Sequence, residues 1–315
     1  MRTLAQPTWN PTDALVPVEL PTPEPRPDEV RVAVKAIGVN PVDWKIRAGD
    51  MRILSGRTFP RALGTDFAGV IASVGPGVSG WSVGDAVYGM TVTALGRPGA
   101  HADRLAVPAS ALRRKPENLT FDVAATLPVA ALTALNGLRL AGPLDGRSVL
   151  VNGATGGVGH FALQIARARG ARVTAVCSAA NMGLAQALGA AEVFDYRASD
   201  ITQMPARYDV LYDAFGAMPL GAALRLLTDR GVYVTPLGMP AVMLRSIVQN
   251  LLPGKRIRVG NVRSEPEDYA AIEGLLGSGD VRAVIGLTFP LERTGEAFAA
   301  AERGGVQGKV VIQVS

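Results

Sequence analysis

Three glycines, at positions 153, 156 and 159, separate a short apolar run at 148–151 from a segment with helical apolar periodicity. This spacing is a variant of the dinucleotide fingerprint, in which a strand enters a helix through a glycine turn. Gly153 allows the tight turn, Gly156 and Gly157 let the backbone approach a pyrophosphate, and the last glycine lets the helix lie close to the strand. Free N–H groups at the helix start, around Val158, favour a bound anion. The motif therefore predicts a dinucleotide site, and a packing cluster of glycines in an unliganded domain is the alternative.

The segments around this turn form a complete strand–helix–strand unit. The helix is predicted over 158–169 and the second strand over 172–176, with Gly170 ending the helix. On this helix, His160, Gln164 and Arg167 share a polar face, and we expect His160 either at the surface or behind the residues that contact the ligand, rather than in catalysis. Further helices at 182–188 and 218–228 alternate with strands at 192–194, 208–213 and 231–237. Such alternation indicates a parallel sheet that is covered on both faces.

Composition narrows the class of protein. The chain has 315 residues, of which 48% are hydrophobic and 19% are charged, so two domains with large buried cores are expected. No run of about 18 apolar residues occurs and the first residues lack the apolar region of a secretory signal, so neither a membrane span nor secretion is expected. The single cysteine, Cys177, fits a reducing compartment and a cytoplasmic location. The net charge of +5 is scattered, which favours a solvated surface over a nucleic-acid interface.

The chain outside the nucleotide-binding unit predicts a β-rich domain. Alternating apolar residues at 30–34, with similar runs at 70–74 and 86–88, are typical of half-buried strands. A helix is expected over about 128–140, and residues 308–314 form a final strand that we assign back to the first domain. The predicted boundaries are 1–119 together with 262–315 for the first domain, and 120–261 for the nucleotide-binding domain.

Several motifs, taken in order, resemble a known superfamily. They are GVNPVDW (38–44), GTDFAGV (64–70), VGDAVYG (83–89), GAHA (99–102), LPVAALTA (127–134), the glycine turn and GKVV (308–311). Over nearly the whole chain they are similar to the medium-chain dehydrogenases/reductases, in the zinc-independent quinone-oxidoreductase-like (zeta-crystallin-like) branch. The resemblance implies an α/β fold with a GroES-like β-rich catalytic domain, a Rossmann domain with a doubly wound parallel sheet, and an active site in the cleft between them. It also implies a homodimer formed through an edge strand, which we expect residues 231–239 and the apolar run 241–252 to supply.

The residues at the zinc positions predict a metal-free site. The cysteine ligand of zinc-dependent relatives corresponds to Asn40, and their His-Glu pair corresponds to Thr65 and Asp66. A catalytic zinc takes about three protein ligands, and a structural zinc lobe takes four thiolates, whereas this chain has one cysteine. Without a metal to stabilise an alkoxide, the resemblance suggests NADPH-dependent reduction of quinones or α,β-unsaturated carbonyls. An enoyl-thioester reductase and a non-catalytic NADPH-binding protein remain the alternatives.

The form of the cofactor is predicted from charges around the second strand. No acidic residue occurs over 146–191, so a 2′-phosphate would meet no carboxylate there, and Ser178 and Asn181 could donate hydrogen bonds to it. Tyr196 matches a position near the same phosphate in relatives. Many relatives also carry an Arg or Lys close to the position of Ala180, and this chain does not. We therefore predict NADPH, with NADH as a second form that the site could accept.

The resemblance suggests roles for individual residues, each beside a simpler alternative. Asn40 could hydrogen-bond substrate or nicotinamide, or could simply form an Asn-Pro turn. Lys45 could donate a proton, or could be an ordinary exposed lysine, and Trp44 could line the substrate side. Thr133 resembles a threonine beside the nicotinamide, with helix capping as its competing role. The predicted cofactor-binding set is completed by Phe215, Leu237, Gly238 and Lys309.

Overall fold

The computed structural model describes residues 1–8, 15–51, 59–91, 99–204, 208–216, 218–236, 238–260 and 262–315. The chain forms two compact units: unit 1 comprises Met1–Val129 and Ile285–Ser315, and unit 2 comprises Ala130–Val284. These limits differ from the predicted ones, because 120–129 packs with unit 1 and 262–284 packs with unit 2. The first boundary, between Val129 and Ala130, lies inside one continuous helical segment, so the helix predicted over 128–140 gave no sign of it.

The first part of unit 1 is built mainly from strands. Its elements are β1 (Arg2–Gln6), β2 (Val16–Glu19), β3 (Glu29–Gly38), α1 (Pro41–Ala48), β4 (Arg61–Ala62), β5 (Asp66–Val74), β6 (Ala86–Met90), β7 (Arg104–Pro108), β8 (Leu112–Arg114) and α2 (Phe121–Ala124). The predicted period-two alternation is present in β3, where Val30, Val32 and Val34 are all buried. This strand pairs antiparallel with β5 and also with β7, so the alternating run supplies the centre of the unit.

Unit 2 is an α/β unit with one parallel sheet. Its elements are α3 (Leu132–Arg139), β9 (Ser148–Asn152), α4 (Gly159–Ala168), β10 (Arg172–Cys177), α5 (Met182–Ala187), β11 (Glu192–Asp195), β12 (Tyr208–Asp213), α6 (Leu220–Leu226), β13 (Leu227–Thr235), α7 (Pro240–Leu251), β14 (Arg256–Val259) and α8 (Pro266–Gly277). The six strands are ordered β11-β10-β9-β12-β13-β14, and each neighbouring pair is parallel. The order reverses between β9 and β12, which is the arrangement of a doubly wound sheet.

The chain then returns to unit 1. It adds β15 (Ile285–Pro290), α9 (Thr294–Arg303) and β16 (Lys309–Gln313). The last strand pairs antiparallel with β3 and parallel with β15, so the seven-stranded sheet runs β15-β16-β3-β5-β6-β8, with β7 also on β3. The prediction that residues near 308–314 return to the first domain is thereby matched by the strand pairing.

The predicted edge of the parallel sheet is wrong in position. Residues 231–239 were expected to supply a free edge, but β13 lies between β12 and β14 and is paired on both sides. The apolar run at 241–252 forms helix α7, and the strand at the end of the sheet is β14. A short apolar run does not by itself distinguish a helix from a strand, which explains the error.

One helical segment, Phe121–Arg139, is long and apolar enough to cross a membrane by length and composition. It consists of α2, a π-helical turn at Leu127–Ala131, and α3. The sequence prediction gave a helix over about 128–140 here and no run of about 18 apolar residues, because scattered polar residues interrupt the segment. In the structure, 78% of its most apolar stretch is buried inside the protein, as expected for a core helix.

Candidate functional site

The glycine turn after β9 has the geometry that the motif predicts. Gly153 adopts a φ of +72°, which favours glycine, and its N–H donates to the carbonyl of Val176 at 3.0 Å. A Cβ atom on Gly159 would lie 2.0 Å from the carbonyl oxygen of Gly153, so the helix can begin here only with glycine. Within the described part of the chain, no acceptor contacts the N–H groups of Gly157 and Val158. The turn therefore presents two free donors at the N-terminus of α4, as an anion site requires.

A buried histidine holds this turn in place. The backbone N–H of Val284 donates to Nε2 of His160 at 3.2 Å, so Nδ1 carries the proton and donates to the carbonyl of Gly156 at 2.9 Å. His160 and Gln164 lie on the predicted polar face but are 0% and 3% exposed, so of the two positions expected for His160 the surface is wrong and the place behind the turn is found. The physical reason is that the segment before β15 covers this face, where Gln164 bonds both the N–H and the carbonyl of Arg282.

A second network fixes the carboxyl ends of the two central strands. The buried carboxylate of Asp213, at the end of β12, accepts hydrogen bonds from the Asn152 amide at 2.8 Å and the Tyr233 hydroxyl at 3.1 Å. It also accepts the N–H of Gly216 at 2.8 Å. Asn152 ends β9 and stands opposite Asp213 in the parallel register. Sequence reasoning missed this network, although two polar residues ending adjacent buried strands were a usable signal.

The residues predicted for the ribose phosphate differ in how accessible they are. Ser178 directly follows β10 and is half-buried, and Tyr196 directly follows β11 and is 52% exposed. The N–H of Tyr196 donates to the carbonyl of Cys177 at 3.2 Å, which brings both positions to the same edge of the sheet. Asn181 is buried, and its amide donates to the Thr155 hydroxyl at 3.3 Å. This hydrogen bond links the segment after β10 to the glycine turn, so Asn181 supports the turn rather than facing a ligand.

The other predicted cofactor residues of unit 2 occupy different settings. Phe215 is 67% exposed and lies against the glycine turn, since a Cβ on Gly153 would come within 3.0 Å of the Phe215 Cβ. Gly238 is exposed just before α7. Thr133 is buried in α3, and its carbonyl accepts the hydroxyl of Tyr212 at 3.0 Å. Leu237 lies outside the described residues.

In unit 1, the position of Asn40 is the centre of a buried polar network. Its amide nitrogen donates to the Gly38 carbonyl at 3.1 Å and to the Asp66 carboxylate at 2.9 Å. Its side-chain oxygen accepts a hydrogen bond from the ammonium of Lys309 at 2.5 Å. Both amide protons and the oxygen are thus engaged, and the residue is 1% exposed. The predicted direct contact with substrate does not fit this arrangement, in which Asn40 positions its neighbours.

Two carboxyl groups complete this network. Asp43 accepts the Asn40 N–H at 2.8 Å and the Thr65 hydroxyl at 2.8 Å. Burial raises the pKa of Asp43 to about 6, against the opposing effects of these hydrogen bonds and of Lys309. Asp66 accepts the N–H of Val129 at 3.1 Å and lies 3.9 Å from the Lys309 ammonium. Burial also raises the pKa of Asp66, while the charge of Lys309 opposes the rise.

Lys309 does not have the setting predicted for a cofactor contact. It is 3% exposed, and its ammonium donates to the Val39 carbonyl at 2.8 Å as well as to Asn40. Burial lowers the pKa of this ammonium, and the two nearby carboxyl groups oppose that effect. Its role in the structure is to neutralise buried carboxylate charge, since an unpaired ion would be costly there.

The substrate-side candidates lie on helix α1. Trp44 is partly buried and packs against the hydrophobic core of unit 1, whereas Lys45 is exposed. Of the remaining reactive groups, Cys177 is 3% exposed, and burial followed by the charge of Asp195 raises the pKa of its thiol to about 11. A protonated, buried thiol fits a packing role better than a nucleophile.

Comparison with known proteins identifies the family. The model of the alcohol dehydrogenase GroES-like domain matches residues 26–117, and that of the zinc-binding dehydrogenases matches residues 188–312. The chloroplast envelope quinone oxidoreductase homolog of Arabidopsis thaliana is 32% identical over 307 residues, covering 94% of this chain and 93% of the relative. The 2-methylene-furan-3-one reductase of Solanum lycopersicum is 35% identical, covering 92% of this chain and 73% of the relative. The solved quinone oxidoreductase from Coxiella burnetii has a TM-score of 0.92 at 28% identity, covering 100% of this chain and 99% of its own.

These similarities define an oxidoreductase with a GroES-like domain and a Rossmann-like nucleotide-binding domain. The chain belongs to the quinone-oxidoreductase-like family of medium-chain dehydrogenases/reductases. The predicted family and fold class are confirmed, and membership implies a nicotinamide cofactor.

Proposed function

We propose that the protein reduces a quinone or an α,β-unsaturated carbonyl with NADPH and without a metal ion. The observation that carries the proposal is that Lys309 bonds Asn40 and lies beside Asp66, while Thr65 bonds Asp43. Asn40, Thr65 and Asp66 are the positions that, by the family resemblance, correspond to the zinc ligands of zinc-dependent relatives. Two relatives with similar sequences are named as a 2-methylene-furan-3-one reductase and an alkenal/one oxidoreductase, so reduction of conjugated carbonyls occurs in this family.

The donor set at these positions does not fit zinc. The Asn40 oxygen already accepts a hydrogen bond from an ammonium group, and the Thr65 hydroxyl donates to Asp43. Only the Asp66 carboxylate is of a type that zinc prefers, and it is adjacent to a cation. The family model whose description mentions zinc begins at residue 188 and does not include these positions. A positively charged lysine at the centre of this network also disfavours a second cation.

The residues of unit 2 fit a nicotinamide dinucleotide. The free N–H groups of Gly157 and Val158 suit a pyrophosphate. No acidic residue occurs over 146–191, so Asp195, which stands opposite Cys177, is the carboxylate that a 2′-phosphate near Ser178 and Tyr196 would meet. When bound, NADPH supplies a hydride to the acceptor. Quinones and conjugated carbonyls carry their own electron sink, so their reduction does not require a Lewis acid.

Reduction of a conjugated carbonyl also requires a proton. Lys45 is our candidate proton donor, because its side chain is exposed on α1, whereas the ammonium of Lys309 is buried and donates hydrogen bonds to Val39 and Asn40. Lys45→Met should lower turnover of an enone about a hundredfold if this lysine is the general acid. Lys35→Met, which removes another exposed lysine of the same unit, should leave turnover unchanged. Equal turnover in the two variants would remove Lys45 from the mechanism.

The function is tested by a substrate screen with metal analysis. Purified protein is assayed for NADPH oxidation with quinones, enals, enones and an enoyl thioester, and for NADP⁺ reduction with alcohols, before and after chelator treatment. We expect turnover with quinones or enones, no loss after chelation and no stoichiometric zinc. Selective turnover of the enoyl thioester, or binding of NADPH without any turnover, would replace the proposal by the corresponding alternative.

The assembly that we propose is a homodimer formed through β14. This strand ends the parallel sheet, and the Asn250 side chain of α7 already bonds the N–H and the carbonyl of Ile257 in it, at 3.1 and 2.9 Å. Helix α7 exposes several apolar side chains beside this end of the sheet. Those residues are Met243, Leu244, Ile247, Val248 and Leu251. A second copy related by a two-fold axis would cover this apolar face of α7 and meet the end of the sheet beside it. Light scattering of the purified protein at several concentrations tests this, and a monomer throughout would contradict it.

The location that we propose is the cytoplasm. It is supported by the single, buried cysteine, which suits a reducing compartment. The curated relatives include proteins named as chloroplastic and mitochondrial, so family membership alone does not assign the compartment. Fractionation of the source cells provides the test.

A further inference from the structure

The proposed NADPH site needs a cation that the expected position does not supply. A 2′-phosphate carries up to two negative charges, and charge-assisted hydrogen bonds from Arg or Lys are the strongest contacts available to it. The family resemblance implies a basic residue near the position of Ala180, but residues 173–196 of this chain contain no Arg or Lys. The carboxyl edge of β10 therefore lacks a cation of its own.

Arg197 lies at this edge, although it follows the neighbouring strand. Strands β10 and β11 are parallel, and Cys177 stands opposite Asp195 in their register. The N–H of Tyr196 donates to the Cys177 carbonyl at 3.2 Å, which extends the pairing one residue further. Arg197 thus leaves the sheet next to the start of the segment Ser178 to Asn181. The ribose of the adenosine half is bound at the end of the second strand in doubly wound folds.

The local structure holds Arg197 in an exposed, unpaired state. Its N–H donates to the Asp195 carboxylate at 3.0 Å, and its guanidinium lies 5.5 Å from the centroid of the Tyr196 ring. The side chain is exposed, and among the described residues no carboxylate forms an ion pair with its guanidinium. Arg172 is different, because it is ion-paired with Glu192 at 2.5 Å at the opposite end of the same two strands.

The charge of Asp195 makes this cation necessary. Asp195 ends β11 close enough to Cys177 to raise the pKa of its thiol. A phosphate bound at this edge would meet that carboxylate alone if no positive charge were present. Arg197 supplies the compensating charge two residues away, and its planar donors suit a phosphate better than a point charge does.

We propose that Arg197 binds the 2′-phosphate of NADPH, with the Tyr196 ring as its support and the Ser178 hydroxyl as a second donor. This inference rests on the proposed function, since it assigns the residue that selects NADPH over NADH. It replaces the predicted hydrogen bond from Asn181, whose amide is buried against Thr155.

The test is binding of NADP⁺, NAD⁺ and 2′,5′-ADP by calorimetry to the full-length protein and to Arg197→Gln. We expect Arg197→Gln to weaken NADP⁺ and 2′,5′-ADP about ten- to hundredfold and to leave NAD⁺ unchanged. Arg197→Lys should recover part of the loss, and the affinity for 2′,5′-ADP should depend less on salt in Arg197→Gln than in the wild type. Arg172→Gln is the matched control and should bind all three ligands as the wild type does.

The possible outcomes separate this inference from the proposed function. If the wild type prefers NADP⁺ and Arg197→Gln binds it equally well, the role of Arg197 is refuted while NADPH remains the cofactor. If Arg197→Gln loses NADP⁺ and NAD⁺ to the same extent, the residue affects the whole site and the assignment to the 2′-phosphate is wrong. If the wild type binds NAD⁺ and NADP⁺ equally, both this inference and the proposed preference for NADPH fail, whereas turnover with quinones could still be observed.

Discussion

The ammonium group of Lys309 donates a hydrogen bond to the side-chain oxygen of Asn40 at 2.5 Å, although 269 positions separate the two residues in the chain. The contact joins β16 to the N-terminus of α1 and leaves the lysine 3.9 Å from Asp66. A buried cation between two carboxyl groups is stabilising only while its partners are present. The last strand therefore contributes charge as well as backbone pairing to unit 1.

Lys309→Met should lower the free energy of unfolding by about 3–5 kcal/mol, because it leaves buried carboxylate charge without a partner. Urea unfolding monitored by circular dichroism measures the loss. The double variant Lys309→Met, Asp66→Asn removes the stranded charge and should recover much of the stability. A double variant as unstable as the sum of its single changes would show that the two groups do not interact.

The sequence predicts features that depend on residues close together in the chain and misses those that depend on residues far apart in it. Strands β9, β10 and β12 were predicted to within one residue, because buried parallel strands are short apolar runs bounded by polar residues. The network of Lys309 and Asn40 could not be predicted from the residues alone, since it depends on β16 returning beside β3.

The burial of His160 illustrates the same limit at the nucleotide site. Helical periodicity correctly placed His160 and Gln164 on one polar face, but it could not show that the segment around Arg282 covers that face. Both side chains form hydrogen bonds with backbone groups of the covering segment, as buried polar groups generally do. A polar face on a helix therefore predicts that the face meets either solvent or polar backbone groups of the same chain.

The glycine turn predicts different effects for two alanine substitutions. Gly159→Ala would place Cβ 2.0 Å from the Gly153 carbonyl oxygen, so we expect both lower stability and loss of NADP⁺ binding. Gly156→Ala has its nearest contact at 3.4 Å and should fold, yet bind NADP⁺ more weakly because the side chain occupies the approach to the turn. Thermal unfolding and calorimetry measure the two effects.

Gly183→Ala is the control for these substitutions. An added Cβ on Gly183, in α5, meets no atom within 4 Å, so this change should raise stability by up to about 1 kcal/mol and leave NADP⁺ binding unchanged. If Gly156→Ala bound NADP⁺ as tightly as Gly183→Ala does, the turn would not be the pyrophosphate site.

His101→Phe tests a buried imidazole that has no hydrogen-bond partner among the described residues. The ring is 0% exposed and packs on Phe298 at a centroid distance of 4.9 Å. Burial lowers the pKa of His101 to about 3 in the folded state, from 6.5. The unfolded chain therefore binds the proton first, and stability is lost as the pH falls from about 6.5 towards 3.

The variant should be more stable than the wild type by about 1–3 kcal/mol at neutral pH, because no buried ring nitrogen is left unpaired. The difference should grow by about 1.4 kcal/mol for each pH unit below 6.5, where only the wild type gains a proton on unfolding. Urea unfolding at a series of pH values measures it. A difference that stays constant with pH would mean that His101 is protonated in the folded protein.

His160→Phe should weaken NADP⁺ binding as well as lower stability. His160 and Gln164 are both buried on the same helix face, but His160 contacts the glycine turn and Gln164 does not. The change leaves the Gly156 carbonyl and the Val284 N–H without this partner, at a cost of about 1–3 kcal/mol in unfolding free energy. Gln164→Leu is the matched control, since Gln164 bonds Arg282 and the helix backbone but not the turn. Both variants should lose similar stability, and only His160→Phe should bind NADP⁺ more weakly in calorimetry. If His160→Phe and Gln164→Leu bound NADP⁺ with equal affinity, the imidazole would hold only the segment around Val284 and would not orient the N–H groups of the turn.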